Sequence, residues 1–174
     1  MLVYHGSNVE ISKPDVFHSR KALDFGKGFY LTTYKEQAQK WAIQKKKNNS
    51  NAYVTTFDLS DSVFEELKIL KFSDYNKDWL DFVCSCRKDK INESSLDYDI
   101  IIGNIADDKV FTTVELYESG VIDAETTIKK LKYFPNNDQI VIKKQEVIEK
   151  YLTYVKGEIV WQQDKSWSIW NIQI

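Results

Sequence analysis

Four short motifs contain the residue types that could bind a ligand or carry a reaction. They are YHGS with His5, LDFGKGFYLTT with Gly26, Gly28 and Tyr30, GNIADD with Asp107 and Asp108, and NNDQIVI with Gln139. Each motif is a weak signal by itself. A lone histidine is more often a hydrogen-bonded structural residue, and Gly-x-Gly without the rest of GxGxxG or a Walker lysine does not predict a phosphate loop. Aspartates before a predicted helix complement its dipole, and Gln139, in a predicted strand, would by default lie on an exposed face.

The pattern of apolar residues predicts the elements that must position these motifs. Strands are expected at LVYH, FYLTT, YVTTFDL, DYDIIIGNI and NDQIVIK, and helices after Thr33, after Ser73, across TTVELYESG, after Asp123 and at KQEVIEKYL. Thr33 and Glu36 fit the capping box, and Gly120 is expected to end a helix. Because strands and helices are intermixed without a regular β-α alternation, we predict an α+β fold around a mostly antiparallel sheet.

The length of 174 residues predicts one domain, and 43% hydrophobic with 14% aromatic residues is enough for a packed core. We assign residues 1–152 to the main domain. Residues 153–174 form a Trp-rich extension, expected to be a packed strand or hairpin of the same domain. Its Trp161, Trp167 and Trp170 could form either a packed edge or an exposed recognition patch. Trp41, at helical spacing with its apolar neighbours, is predicted to lie in the core.

Charge and cysteine content exclude several classes of protein. The net charge of −2 and the pI of about 5.8 provide no global basic field for nucleic acid or anionic membrane, although a local basic groove stays open. MLVYHGS does not resemble a signal peptide and no run approaches the ~20 apolar residues of a membrane span, so we expect a cytoplasmic protein. Cys84 and Cys86 would lie on different helix faces, with only His5 and His18 as further soft ligands. We therefore expect reduced packing cysteines and no metal site.

Together and in this order, the motifs resemble a known family. YHGS, SRKALDFGKGFYLTT with a following QAxxWA, DYDIIIGNIADD and NNDQIVI are similar to a bacterial family of uncharacterised proteins within the ADP-ribosyltransferase superfamily. Its members often lie beside a small partner gene, as in toxin–antitoxin pairs. The resemblance covers Leu2 to Leu152. It implies two small, mostly antiparallel sheets that form an NAD cleft flanked by helices, with NAD as co-substrate and no metal.

The resemblance also assigns roles to the first two motifs. His5, Gly6 and Ser7 match the superfamily's histidine motif on the first strand. His5 would contact a ribose hydroxyl of NAD, and the backbone of Gly6 would pair with the nicotinamide carboxamide. Tyr30 matches the tyrosine on the second strand, whose ring would stack on nicotinamide as part of the catalytic site.

The segment before Tyr30 would complete the binding site. Gly26 and Gly28 would weaken an ordinary strand, so we expect them to let the backbone come close to a planar, charged ligand. Phe25 is included in the same NAD-binding set. Arg20 or Lys27 could meet the pyrophosphate, with better geometry from the arginine.

The sequence departs from the superfamily at the third catalytic position. A glutamate usually lies on the last catalytic strand, where this chain has Gln139. Glutamine can accept a hydrogen bond but supplies no negative charge. A unit charge at about 4 Å is worth on the order of 4 kcal/mol at an effective dielectric of 20, up to roughly a thousandfold in rate. Asp107 or Asp108 could bring a carboxylate instead, whereas Asp138 should point to the opposite face of the strand.

These motifs favour an NAD-dependent ADP-ribosyltransferase that modifies a macromolecule, either protein or nucleic acid. We expect a toxin or defence effector that a small antitoxin-like partner protein restrains, with no contact to membranes. Two alternatives stay open. The same cleft could belong to an NAD- or nucleotide-binding or protein-interaction module without turnover, or to an NAD glycohydrolase in which water replaces the acceptor.

Overall fold

The computed structural model describes residues 1–20, 23–46, 50–88, 97–105, 108–132 and 137–160. Within them the strands are β1 (Leu2–Ser7), β2 (Phe29–Leu31), β3 (Ala52–Leu59), β4 (Ile69–Lys71), β5 (Ile100–Asn104), β6 (Asp138–Ile142) and β7 (Leu152–Val160). The helices are α1 (Lys35–Lys45), α2 (Val63–Glu66), α3 (Lys77–Arg87), α4 (Asp108–Glu118), α5 (Ala124–Leu131) and α6 (Gln145–Tyr151).

The strands form two small sheets. The first has the order β1-β3-β7 and is antiparallel throughout, and the second has the order β2-β6-β5-β4 with one parallel pair, β4 and β5. The sheets meet where Tyr4 and Thr32 exchange two backbone hydrogen bonds, at 2.8 and 3.0 Å. The prediction of an α+β fold with mostly antiparallel sheets is therefore confirmed.

The second sheet is buried on both faces, which explains the continuous apolar run in β5. Ile101 and Val141 pack in a cluster with residues of α3, α4 and α5. Ile100 and Ile142 belong to a second cluster, which also contains Phe57 from the first sheet. Because successive side chains of a strand alternate between faces, β5 and β6 need apolar residues at nearly every position.

Helix α1 packs directly on the first sheet. Its Ala38 and Ala42 are fully buried against Val54 of β3. An added Cβ on Gly6 of β1 would lie 2.0 Å from the carbonyl oxygen of Ala38. The small residues on both elements therefore allow the helix backbone to approach the strand closely, and this contact fixes the wall that α1 contributes to the candidate site.

Helix starts follow the sequence in some places and not in others. Asp123 accepts a hydrogen bond from the Thr126 N–H at 2.7 Å, so the predicted cap of α5 is confirmed. The predicted Ser73 cap is wrong, because α3 begins after Asn76, whose side chain accepts from the Trp79 N–H. The capping box at Thr33 is also wrong, since α1 has Tyr34 as its N-cap without a side-chain cap bond.

The described part of the C-terminal extension is an integral strand. β7 pairs with β3 from Leu152 to Val160, with one irregularity between Thr56 and Phe57. Trp161, Trp167 and Trp170 lie outside the described residues. Within the described ranges, no helix is both long enough and apolar enough to cross a membrane.

Candidate functional site

A cavity of about 1360 Å³ lies where β1 of the first sheet meets β2 of the second. Its volume exceeds the roughly 300–1,000 Å³ of typical small-molecule pockets. Its walls come from β1, the segment after β1, the loop before β2, α1 and β6. The residues predicted from sequence that line it are His5, Arg20, Gly28, Tyr30 and Gln139. The structure therefore brings together side chains from strands that are far apart along the chain.

His5 has a fixed orientation and a fixed tautomer. Its Nδ1 lies 2.7 Å from the Tyr30 carbonyl oxygen, so Nδ1 carries the proton and donates it. The imidazole stacks on the Phe29 ring with centroids 4.7 Å apart. Burial lowers the pKa of His5 to about 4, despite the opposing effect of the Tyr30 carbonyl. At neutral pH, Nε2 is therefore an unprotonated hydrogen-bond acceptor, suited to a ligand hydroxyl.

We expect acidification to destabilise the protein through His5. In the unfolded chain this group titrates near 6.5, whereas in the folded protein its pKa is about 4. Between these values the unfolded state binds more protons, so stability falls as the pH falls. From pH 7 to pH 4.5 the wild type should lose about 2 kcal/mol more unfolding free energy than His5→Gln. Urea denaturation at both pH values measures the difference, and equal losses would contradict the assignment.

Tyr30 is held by the loop that precedes it. Its hydroxyl donates to the Gly26 carbonyl at 2.6 Å and accepts from the Phe25 N–H at 3.2 Å. Burial, together with the charge of Asp24, raises the pKa of Tyr30 well above its usual value. The phenol stays protonated, so Tyr30 cannot act as a general base. Its half-buried ring lines the cavity and can offer only shape and stacking.

The backbone geometry of the fold explains why glycine occupies positions 26 and 28, before Tyr30. Gly26 has a φ of +70°, a left-handed conformation that favours glycine. An added Cβ on Gly28 would lie 2.5 Å from Val141 Cγ1 and 2.6 Å from the Ile142 carbonyl oxygen. The turn and the close approach to β6 therefore account for both glycines without a ligand, although Gly28 also lines the cavity.

Two predicted residues, Phe25 and Ser7, have positions that limit their roles. Phe25 is fully buried and its ring packs between Phe72 and Phe82, so its place in the NAD-binding set is corrected. Ser7 is buried, and its hydroxyl donates to the Val9 carbonyl at 2.5 Å. Asp107 lies outside the described residues, as does the side chain of Asp108, which begins α4.

Gln139 is only 2% exposed, so the expectation of an exposed face is wrong. Its Nε2 donates to the Asn104 carbonyl at 3.4 Å. The neighbouring Asp138 carboxylate accepts from the Thr32 hydroxyl and from the N–H and hydroxyl of Thr33, at 2.7 to 2.9 Å. Asp138 is therefore occupied by the β2–α1 turn, as strand alternation predicts.

The loop before Tyr30 is held by buried charges. Arg87 of α3 forms an ion pair with Asp24 at 2.7 Å, and both side chains are largely buried. The Lys143 ammonium donates to the Phe25 carbonyl at 2.7 Å. Burial lowers the pKa of Lys143 to about 8. These contacts position the cavity wall on which Tyr30 lies. Lys27, by contrast, is exposed on this loop and does not line the cavity.

Sequence reasoning missed the contribution of α1. Gln37, Trp41 and Lys45 line the cavity. They are four residues apart and so form one stripe along the helix. Trp41 is half-buried there, so its assignment to the core is wrong in part. The core stripe consists instead of Ala38 and Ala42. Gln37 and Lys45, four positions before and after Trp41, are polar, and this pattern in the sequence indicates that the face does not belong to the core.

Among the described side chains, no group of three or more His, Cys, Asp and Glu residues is arranged to hold a metal ion. Cys84 and Cys86 are free and buried, and burial raises the pKa of Cys86 to about 11. The described side chains that line the cavity are aromatic rings, amides and charged groups of both signs.

The fold and the cavity define an α+β protein with two small sheets and a ligand-sized cleft at their junction. Residues 1–154 match the family described as a protein of unknown function, DUF3990. The chain belongs to this DUF3990 family. No curated protein and no solved structure matches it.

Proposed function

We propose that this protein is an NAD-dependent ADP-ribosyltransferase that transfers ADP-ribose to a macromolecular acceptor. The observation that carries the proposal is that His5, Tyr30 and Gln139 line one cavity. These residues lie on three strands and match, in order, the three catalytic positions that the sequence resemblance implies. The cavity of about 1360 Å³ also has room for a dinucleotide. The resemblance further supports a cytoplasmic toxin or defence effector restrained by a small partner protein.

The geometry supports a division of roles between the rings. His5 Nε2, unprotonated at neutral pH, would accept a hydrogen bond from a ribose hydroxyl. The Tyr30 and Trp41 rings would bind planar parts of NAD by stacking, since both line the cavity. In the reaction the ribose–nicotinamide bond breaks, its electron pair returns to the nicotinamide nitrogen, and the acceptor nucleophile bonds to the ribose carbon and loses its proton. Holding NAD in the reactive orientation would account for most of the rate enhancement.

A second candidate function is an NAD- or nucleotide-binding module without turnover. The observation that favours it is Gln139, which brings a neutral amide where the superfamily has a carboxylate. The Asp138 carboxylate does not replace it, because Thr32 and Thr33 occupy its oxygens. Binding of NAD without release of nicotinamide would select this candidate.

The test is incubation of the purified protein with NAD, with free nicotinamide as the readout. Mass spectrometry of added protein, DNA and RNA then distinguishes transfer from hydrolysis by water. Tyr30→Ala should lower nicotinamide release about fivefold to a hundredfold, because base–aromatic stacking is worth about 1–3 kcal/mol. Gln139→Ala should also lower it. Tyr53→Ala, an aromatic substitution on β3 away from the cavity, is the matched control. Unchanged release in both cavity variants would overturn the site assignment.

A further inference from the structure

Lys45, in the last turn of α1, reaches the edge of β1. Its Nζ donates a hydrogen bond to the Gly6 carbonyl oxygen at 3.3 Å, and the side chain lines the cavity. The bonding pattern of β1 explains why this carbonyl is available. Tyr4 directs its backbone bonds to Thr32, away from β3. Along an antiparallel strand, every second residue directs its N–H and C=O toward the same side. Gly6, two residues after Tyr4, therefore also directs its N–H and C=O away from β3.

A second cation, Arg20, lines the same cavity as Lys45. Burial lowers the pKa of the Lys45 ammonium, and the Arg20 guanidinium lowers it further. Among the described residues, Lys45 has the Gly6 carbonyl as its side-chain partner, and neither Lys45 nor Arg20 forms a salt bridge with a carboxylate. Two neighbouring like charges repel each other, and an anion between them would relieve that repulsion.

Three of the four carboxylates that line the cavity have partners other than Lys45 and Arg20. Glu10 accepts from the Tyr154 hydroxyl at 2.5 Å, Asp15 pairs with His18, and Asp24 pairs with Arg87. Glu36, the remaining one, precedes Lys45 by nine residues on α1, about 13 Å along the helix axis. Among the described residues, Lys45 and Arg20 are therefore cavity cations that no carboxylate pairs with, in a chain whose net charge is −2.

We propose that Lys45 and Arg20 bind the phosphate groups of the nucleotide and that Lys45 leaves the Gly6 carbonyl when they do. This inference rests on the proposed function. It adds that binding of the phosphate groups makes the Gly6 carbonyl available to the nicotinamide end of the ligand. A phosphate oxygen is a stronger partner for an ammonium group than a neutral carbonyl at 3.3 Å. Departure of Lys45 frees the Gly6 carbonyl for a ligand N–H. Nicotinamide alone, without phosphate, must compete with Lys45 for that carbonyl.

The test measures ADP and nicotinamide separately by calorimetry, at low salt, with the full chain. Lys45→Met should weaken ADP binding at least about tenfold, the loss expected for one charge-assisted hydrogen bond. The same variant should bind nicotinamide more tightly than the wild type does. Lys45→Arg, which keeps the charge, should retain ADP affinity within about threefold. Lys46→Met removes a charge from the next residue, outside the cavity lining, and should change neither affinity.

The opposite signs of the two changes separate this inference from mere loss of structure, because a misfolded variant would lose both ligands. If Lys45→Met binds ADP as the wild type does, or if it weakens nicotinamide binding, the inference is overturned while NAD turnover can still support the proposed function. If the wild type binds neither ADP nor nicotinamide, the proposed function is overturned and this inference with it.

Discussion

Gln139→Glu is expected to raise the rate of nicotinamide release by up to about a thousandfold. A unit negative charge about 4 Å from the positive charge that develops on the ribose is worth on the order of 4 kcal/mol at an effective dielectric of 20, which corresponds to that factor in rate. The substitution nearly conserves shape. It removes the bond from Gln139 Nε2 to the Asn104 carbonyl, but that carbonyl also accepts from the Trp79 indole at 3.1 Å. The readout is the initial rate of nicotinamide release under saturating NAD.

The pH profile of this variant provides an internal check. Position 139 is 2% exposed, so burial should raise the pKa of the introduced glutamate, and its charged form will appear only as the pH rises. The gain in rate should therefore increase from pH 6 to pH 8. Gln44→Glu adds the same charge at an exposed position on the cavity wall and should change the rate less than about threefold. If Gln139→Glu releases nicotinamide no faster than the wild type does, position 139 does not lie beside the reacting ribose.

Local patterns in the sequence predicted most elements, because they depend on nearby residues. The run Ile100–Ile102 lies in a strand buried on both faces, and Asp123 caps α5 as its position before the helix suggests. The capping box at Thr33 failed for a reason that no local pattern contains. The Thr33 hydroxyl donates to Asp138, 105 residues later, and this long-range bond removes it from the helix start.

The site was less accessible to sequence reasoning. No periodicity places His5 and Tyr30 beside each other; only the family resemblance predicted that they share a cavity. Trp41 was misassigned because helical spacing cannot tell a core face from a cavity face. Phe25 was misassigned because aromatic residues beside glycines suit both a binding loop and a core. Tertiary contacts determine both placements. The contact of α1 with β1 determines which face of α1 is buried, and the Phe25 ring inserts between neighbouring aromatic rings.

Gly6→Ala is expected to reduce the free energy of unfolding by at least about 3 kcal/mol, the upper end for overpacking a core. The new methyl group would lie 2.0 Å from the carbonyl oxygen of Ala38 and 2.9 Å from the N of Ala42. Both are backbone atoms of α1, so no side-chain rotation relieves the clash and the helix must move away from β1. Urea denaturation followed by circular dichroism measures the loss as a lower transition midpoint at constant m.

Gly120→Ala is the matched control, because it adds the same methyl group in open space. Gly120 has no neighbour within 4 Å but a φ of +76°, so the variant should lose only the left-handed backbone term of about 1–2 kcal/mol. A smaller loss for Gly6→Ala than for Gly120→Ala would show that α1 can shift without cost. The glycine of YHGS would then owe its identity to a ligand rather than to the helix. With the expected result, packing alone accounts for that glycine, and the case for a nucleotide site depends on His5, Tyr30 and the cations at the end of α1.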